Sequence, residues 1–406
     1  MVGAPPDCNT GTSSTLGIDK AFNERAGCLS SATDDDRSHA GEVTAEAEVC
    51  PSLSRWGIKR ENAYLTELPS TQQFRQVFMQ RYTRMARLGK GNYGHVYAAR
   101  DIFAERAVAV KVLELNNEDD GCKLGEAHIL ATIGKHKHVS ELLDVVCLPG
   151  VALMLVQELF DCSLLTWIRK TRGQPQSSDF VVALLDHLQL GLAHIHKCGC
   201  LHRDLSSANV LLLGDVQAPG AWRGAIADFG HGCGPLGMDV DTPRKHYPRK
   251  VATLMYRAPE LITRPHDPYG AAVDVWSLGC VVADTLTGDI AFDIDIDVEN
   301  PTHQKCAENY LKRVYAHLGQ TPPLSVVGVN EQELYRLSTR TERERFLAMA
   351  ARIPTPTRDL WLTMLQISTK ARIRSRDFPA LTAAGALEST EAVAGAASPP
   401  GADAAE

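Results

Sequence analysis

The sequence predicts an α+β chain of two lobes, a β-rich first part followed by a helix-rich second part. Three observations carry this expectation. Short strand-like runs crowd residues 82–157, with one helical interval among them. Segments with a helical period dominate after about residue 163. Strands and helices do not alternate as βαβ units, which favours segregated lobes over a doubly wound parallel sheet.

The elements follow in order. Residues 1–54 are rich in Ser, Thr, Gly, Ala and Asp, with the run Asp34-Asp35-Asp36, and bury too little apolar surface to offset chain entropy. They are expected to form a disordered arm, and 383–406 a disordered tail. The ordered body should span 55–382, with a first lobe over about 82–160 and a second over about 161–382. Residues 82–88 and 94–99 are strand-like runs flanking a glycine-rich turn, and 106–113 is a third. Residues 122–134 read as a helix whose stripe is Leu124, Ala127, Ile129, Leu130 and Ile133. Strands are expected at 141–147 and 151–157, and helices at 178–197 and 271–287.

Composition narrows the function classes. The 406 residues are 44% hydrophobic and 22% charged, as in an ordinary globular protein. Lys and Arg total 42 against 49 Asp and Glu, and a net charge of −7 argues against a general nucleic-acid binder. No apolar run is long enough to span a bilayer, so no membrane partner is expected. Pro5, Pro6 and Asp7 stand where a signal peptide would need a basic start and an apolar core. Eleven scattered cysteines without a CxxC pair read as reduced thiols, and a cytoplasmic or nuclear location is expected. Cys198 and Cys200 lie near His194, His196 and His202, but a zinc site would need a second paired ligand group.

Five motifs carry chemistry. Gly89-Lys90-Gly91-Asn92-Tyr93-Gly94-His95-Val96 lies between two strand-like runs. It is either an ordinary hairpin turn or a loop whose backbone amides approach a phosphate chain. Val108-Ala109-Val110-Lys111 ends an apolar strand on an ammonium. That group either reaches water along its own stem or pairs with Glu126 on the following helix. The remaining three are His202-Arg203-Asp204-Leu205-Ser206-Ser207-Ala208-Asn209, Asp228-Phe229-Gly230, and Thr253-Leu254-Met255-Tyr256-Arg257-Ala258-Pro259-Glu260. Asp204, Asn209 and Asp228 supply hard oxygen groups of the kind that Mg²⁺ and a hydroxyl substrate require.

In this order and spacing the five resemble the signature of the eukaryotic protein kinases, over about residues 82–380. The resemblance implies a bilobal protein-kinase fold and ATP with Mg²⁺ as cofactors. Gly89, Lys90, Gly91, Asn92, Tyr93 and Gly94 would cover the phosphates, with Val96 and Ala109 against adenine, and Leu88 and His95 belong to the same nucleotide-binding set. Lys111 would hold the α- and β-phosphates, braced by Glu126. Backbone at Glu158 to Phe160 would pair with adenine, behind a gatekeeper at Gln157, and Leu211 belongs to the same nucleotide-binding set. Asp204 would orient and deprotonate the substrate hydroxyl, and Asn209 and Asp228 would hold the metal. Leu130, Leu142, His202 and Phe229 match the family's regulatory hydrophobic stack, Asp274 the aspartate of its central helix, and Arg372 the partner of Glu260.

Arg257 before Ala258-Pro259-Glu260, and the stretch Tyr310–Pro323, resemble the group of cyclin-dependent and mitogen-activated kinases. Protein substrates phosphorylated on Ser or Thr are therefore expected. Three departures stand out. Ser206 replaces the lysine that usually follows the catalytic aspartate by two residues, so a cation is missing there. Pro248 stands where relatives carry an activating phosphothreonine, leaving Tyr247 and Thr242 as candidate phosphosites and no upstream activator identified. The helix at 122–134 does not resemble a cyclin-binding sequence, so no cyclin is expected. The competing reading is a pseudokinase that binds partners without efficient phosphoryl transfer.

Overall fold

The computed structural model describes residues 64–65, 81–91, 94–115, 120–148, 152–171, 173–235, 239–243, 253–264, 266–293, 303–319 and 340–379. The expected arm and tail, Asn92, Tyr93, Tyr247, Pro248 and residues 320–323 lie outside them. The chain has an α+β architecture in two compact units. One comprises residues 1–164, 198–203 and 208–238, the other 165–197, 204–207 and 239–406.

The first unit is built on a six-stranded sheet. Its strands are β1 (Tyr64–Leu65), β2 (Tyr82–Gly91), β3 (Gly94–Asp101), β4 (Arg106–Glu114), β5 (Leu142–Leu148) and β6 (Ala152–Glu158), in the order β1-β5-β6-β4-β3-β2. Every pairing is antiparallel except β1 with β5. Strand alternation sends Val108, Val110 and Val112 of β4 to one face, where they pack with Tyr82, Ala99, Val146 and Val156. Ala109 and Lys111 consequently share the opposite face. Glycine is required at position 94, because a Cβ there would collide with the Val112 carbonyl of β4.

Helix α1 (Asp120–Ile133) connects β4 to β5 and stops at Gly134, which adopts φ +64° and donates its N–H to Leu130 O at 3.0 Å. A second sheet consists of β7 (Cys162–Ser163), β8 (Val210–Gly214) and β9 (Trp222–Ile226), all antiparallel.

The second unit is helical. It contains α2 (Leu164–Lys170, from its second residue on), α3 (Ser178–Lys197), α4 (Pro259–Thr263), α5 (Ala272–Thr287), α6 (His303–Leu318), α7 (Arg340–Ala350) and α8 (Thr355–Met364). Residues Val273 to Leu286 of α5 are all buried, as befits a helix apolar on most sides. Trp361 of α8 is fully buried and donates its indole N–H to Gly279 O of α5 at 2.8 Å. Arg372 grips Glu260 with two hydrogen bonds, at 2.7 and 3.0 Å, and lies over the Trp276 ring at 5.1 Å.

Candidate active site

Strand β4 buries Lys111 between Val110 and Val112, and the register of α1 turns Glu126 toward it. The Lys111 ammonium donates to both Glu126 carboxylate oxygens at 2.8 and 2.9 Å. It also donates to Asp228 Oδ1 at 2.7 Å, 117 positions along the chain. Burial opposes the Lys111 charge, but the two carboxylates outweigh it and hold the ammonium above its usual range. Burial likewise pushes the Asp228 carboxyl up, and Lys111 more than offsets this, so Asp228 stays ionised below the usual carboxylate range. Burial pushes the Glu126 carboxyl up, with Lys111 opposing the rise. Three groups scattered in sequence thus form one hydrogen-bonded cluster within the first unit.

The hairpin of β8 and β9 delivers Asp228. Asn209 precedes β8 directly, and Ala227 N–H donates to Asn209 O at 2.9 Å, which brings the two predicted metal ligands to one end of the hairpin. Asp228 adopts φ +65°, a strained conformation for a non-glycine residue, and its carboxylate accepts the Gly230 N–H at 3.2 Å. Phe229 is buried against His202, with ring centroids 4.9 Å apart, and His202 Nε2 donates to Ala227 O at 3.0 Å. Leu130 and Leu142 are buried as well.

The glycine-rich segment is a strand hairpin in which Gly89 pairs with Val96, Lys90 with His95 and Gly91 with Gly94. A Cβ on Gly89 would meet nothing within 4 Å. Leu88, Val96 and Leu211 are half-buried. Gln157 pairs with Ala109 across β4 and β6, so its side chain shares the face of Ala109 and Lys111. Its Nε2 is buried with no hydrogen-bond partner among the described residues. Glu158 closes β6, its side chain paired with Arg223, and Phe160 is buried just beyond.

Asp204 belongs to the second unit. Its Oδ1 accepts two hydrogen bonds from Thr253, from the backbone N–H at 2.8 Å and from the hydroxyl at 3.1 Å. Ser206 is buried. Burial lowers Arg257 from its usual value while Tyr310 and Asp204 oppose that shift, so this cation lies within electrostatic reach of Asp204. Next to Ser206, Ser207 donates to Asp284 Oδ2 at 2.5 Å, and the Tyr256 hydroxyl donates to the same oxygen at 2.7 Å.

Sequence reasoning gave no role to Thr253, Arg223, Ser207 or Asp284. Thr253 carried a faint signal, since it opens the segment that ends in Glu260. Ser207 lies inside the segment His202–Asn209, whereas Arg223 and Asp284 stand in long-range side-chain pairs without a local pattern.

The residues fit a purine triphosphate and a divalent cation. Gln157 offers an orphaned donor on the Ala109 face, Gly89 leaves open space, and Lys111 presents a fixed ammonium. Among the described residues no three His, Cys, Asp or Glu groups gather as a metal site. One carboxylate and one amide suit a magnesium ion that keeps several ligands from phosphate and water.

Comparison with known proteins agrees with this geometry. Residues 82–378 match the protein kinase domain family model. The chain is 36% identical over 221 residues to "Cell division control protein 2 homolog 3" of Trypanosoma brucei brucei, covering 54% of this chain and 66% of that protein. It is 33% identical over 235 residues to "Cyclin-dependent kinase B2-1" of Arabidopsis thaliana, covering 55% of this chain and 71% of the relative. The matched stretch therefore spans about two thirds of these relatives' length. The chain belongs to the eukaryotic protein-kinase family, in its cyclin-dependent-like group of serine/threonine kinases.

Proposed function

We propose that the protein transfers the γ-phosphate of ATP, with Mg²⁺, to serine or threonine hydroxyls of protein substrates. The observation that carries this reading is the convergence of Lys111, Glu126 and Asp228. Phosphoryl transfer asks a protein mainly for positioning and charge neutralisation, and these residues supply both. Lys111, held charged by Glu126, binds nonbridging phosphate oxygens. Asp228 and Asn209 would hold Mg²⁺, which would supply charge neutralisation on the triphosphate. Backbone at Glu158 to Phe160 holds the base, with Ala109 and Val96 against it. Asp204, oriented by Thr253, accepts the proton of the substrate hydroxyl.

The test is transfer of labelled phosphate from ATP to a protein substrate in the presence of Mg²⁺. Asp204→Asn is expected to lower kcat by roughly 10²–10⁴-fold, the usual contribution of a positioned base. A wild-type protein that binds ATP and labels nothing would replace this reading with a pseudokinase.

A further inference from the structure

Side chains around the segment at 158–161 form a clamp. Arg223 of β9 pairs with the Glu158 carboxylate, donates from Nη1 to Lys137 O at 2.7 Å, and lays its guanidinium over the Phe160 ring at 4.8 Å. One residue on, Asp161 N–H donates to Leu212 O of β8 at 2.9 Å, and its carboxylate accepts the Gly214 N–H at 2.8 Å. Both strands of the β8–β9 hairpin therefore hold residues 158–161. The same hairpin delivers Asn209 immediately before β8 and Asp228 two positions past β9. A planar guanidinium meets a carboxylate, a carbonyl and an aromatic face together, which the point charge of a lysine does not.

We propose that Arg223 is a positioning residue of the nucleotide site. It ties the base-binding backbone to the hairpin that carries Asn209 and Asp228, and so fixes the separation at which base and phosphates are gripped. This rests on the nucleotide site proposed above.

Steady-state phosphotransfer by the full chain, with ATP and substrate varied in turn, tests it. Arg223→Ala is expected to raise KM for ATP about tenfold, to change kcat less than twofold, and to leave KM for the protein substrate unchanged. Arg223→Lys keeps a charge opposite Glu158 and is expected to recover only part of the ATP affinity. It also carries the same test should the alanine variant fail to fold. Wild-type KM for ATP in both variants overturns the proposal and leaves the nucleotide site intact. A uniform loss in kcat and both KM values overturns it too, since that marks a general structural role. A wild-type chain that neither binds nor turns over ATP removes the nucleotide site itself, a result distinct from either.

Discussion

Lys111 occupies a position that would be untenable for an isolated ammonium, because burying an unpaired charge costs several kcal/mol or more. Glu126 and Asp228 resolve that cost, and the resolution is functional: the ammonium is kept charged and aimed. Lys111→Met leaves Glu126 buried without its cation and should destabilise the fold by about 3–5 kcal/mol, together with loss of phosphotransfer. Adding Glu126→Leu should restore much of the melting temperature while activity stays lost. Recovery of activity in the double variant would contradict the role given to the lysine. At Asp204, Thr253→Val keeps the backbone hydrogen bond and removes the hydroxyl one. A hydrogen bond to a charged group is worth about 1.5 kcal/mol or more, so kcat should fall roughly tenfold with KM for ATP unchanged. An unaltered kcat would show that the hydroxyl does not position Asp204.

At the scale of the element, helix α5 carries a buried carboxyl into contact with Ser207 and Tyr256. Burial pushes Asp284 up to about 7, against the opposing effect of Ser207, Tyr256 and the Ala291 N–H, while nearby Asp289 adds to the rise. The folded chain therefore retains this proton up to about pH 7, whereas the unfolded chain releases it near ~4. Across that window the folded state binds more protons than the unfolded one, so stability should fall as pH rises. Asp284→Asn should lower the melting temperature at pH 5 and flatten its decline toward pH 8. A wild-type melting temperature that rises over the same interval, with no change in slope in the variant, would contradict the assignment.

The elements themselves were legible in the sequence to different degrees. The alternation of Val108, Val110 and Val112 and the stripe through Leu130 and Ile133 are local patterns, and strand β4 and helix α1 follow them. The two-residue strands β1 and β7 are too short to leave any period. The cluster at Lys111 was legible because Lys111 and Asp228 each sit in a short motif and Glu126 lies on the helix that follows the first of them. The clamp at Arg223 was not, because nothing near Trp222-Arg223-Gly224 marks a partner 65 positions earlier.

For the whole molecule, chain order and compact units part company. Residues 198–203 and 208–238 cluster with the β-rich unit, while 204–207 cluster with the helical one. Asp204, only five positions before Asn209, thus belongs to a different unit from the predicted metal ligands Asn209 and Asp228. The first unit alone gathers every described residue assigned to nucleotide or metal. Phosphoryl transfer in the protein-kinase family needs few groups, positioned rather than numerous.

The most direct measurement of the central claim is ATP affinity by calorimetry, with and without Mg²⁺, for wild type and Asp228→Asn. The account predicts that Mg²⁺ tightens wild-type binding by about tenfold or more, equivalent to about 1.4 kcal/mol, and that the variant loses this gain. Equal affinities in both proteins, indifferent to the cation, would contradict it.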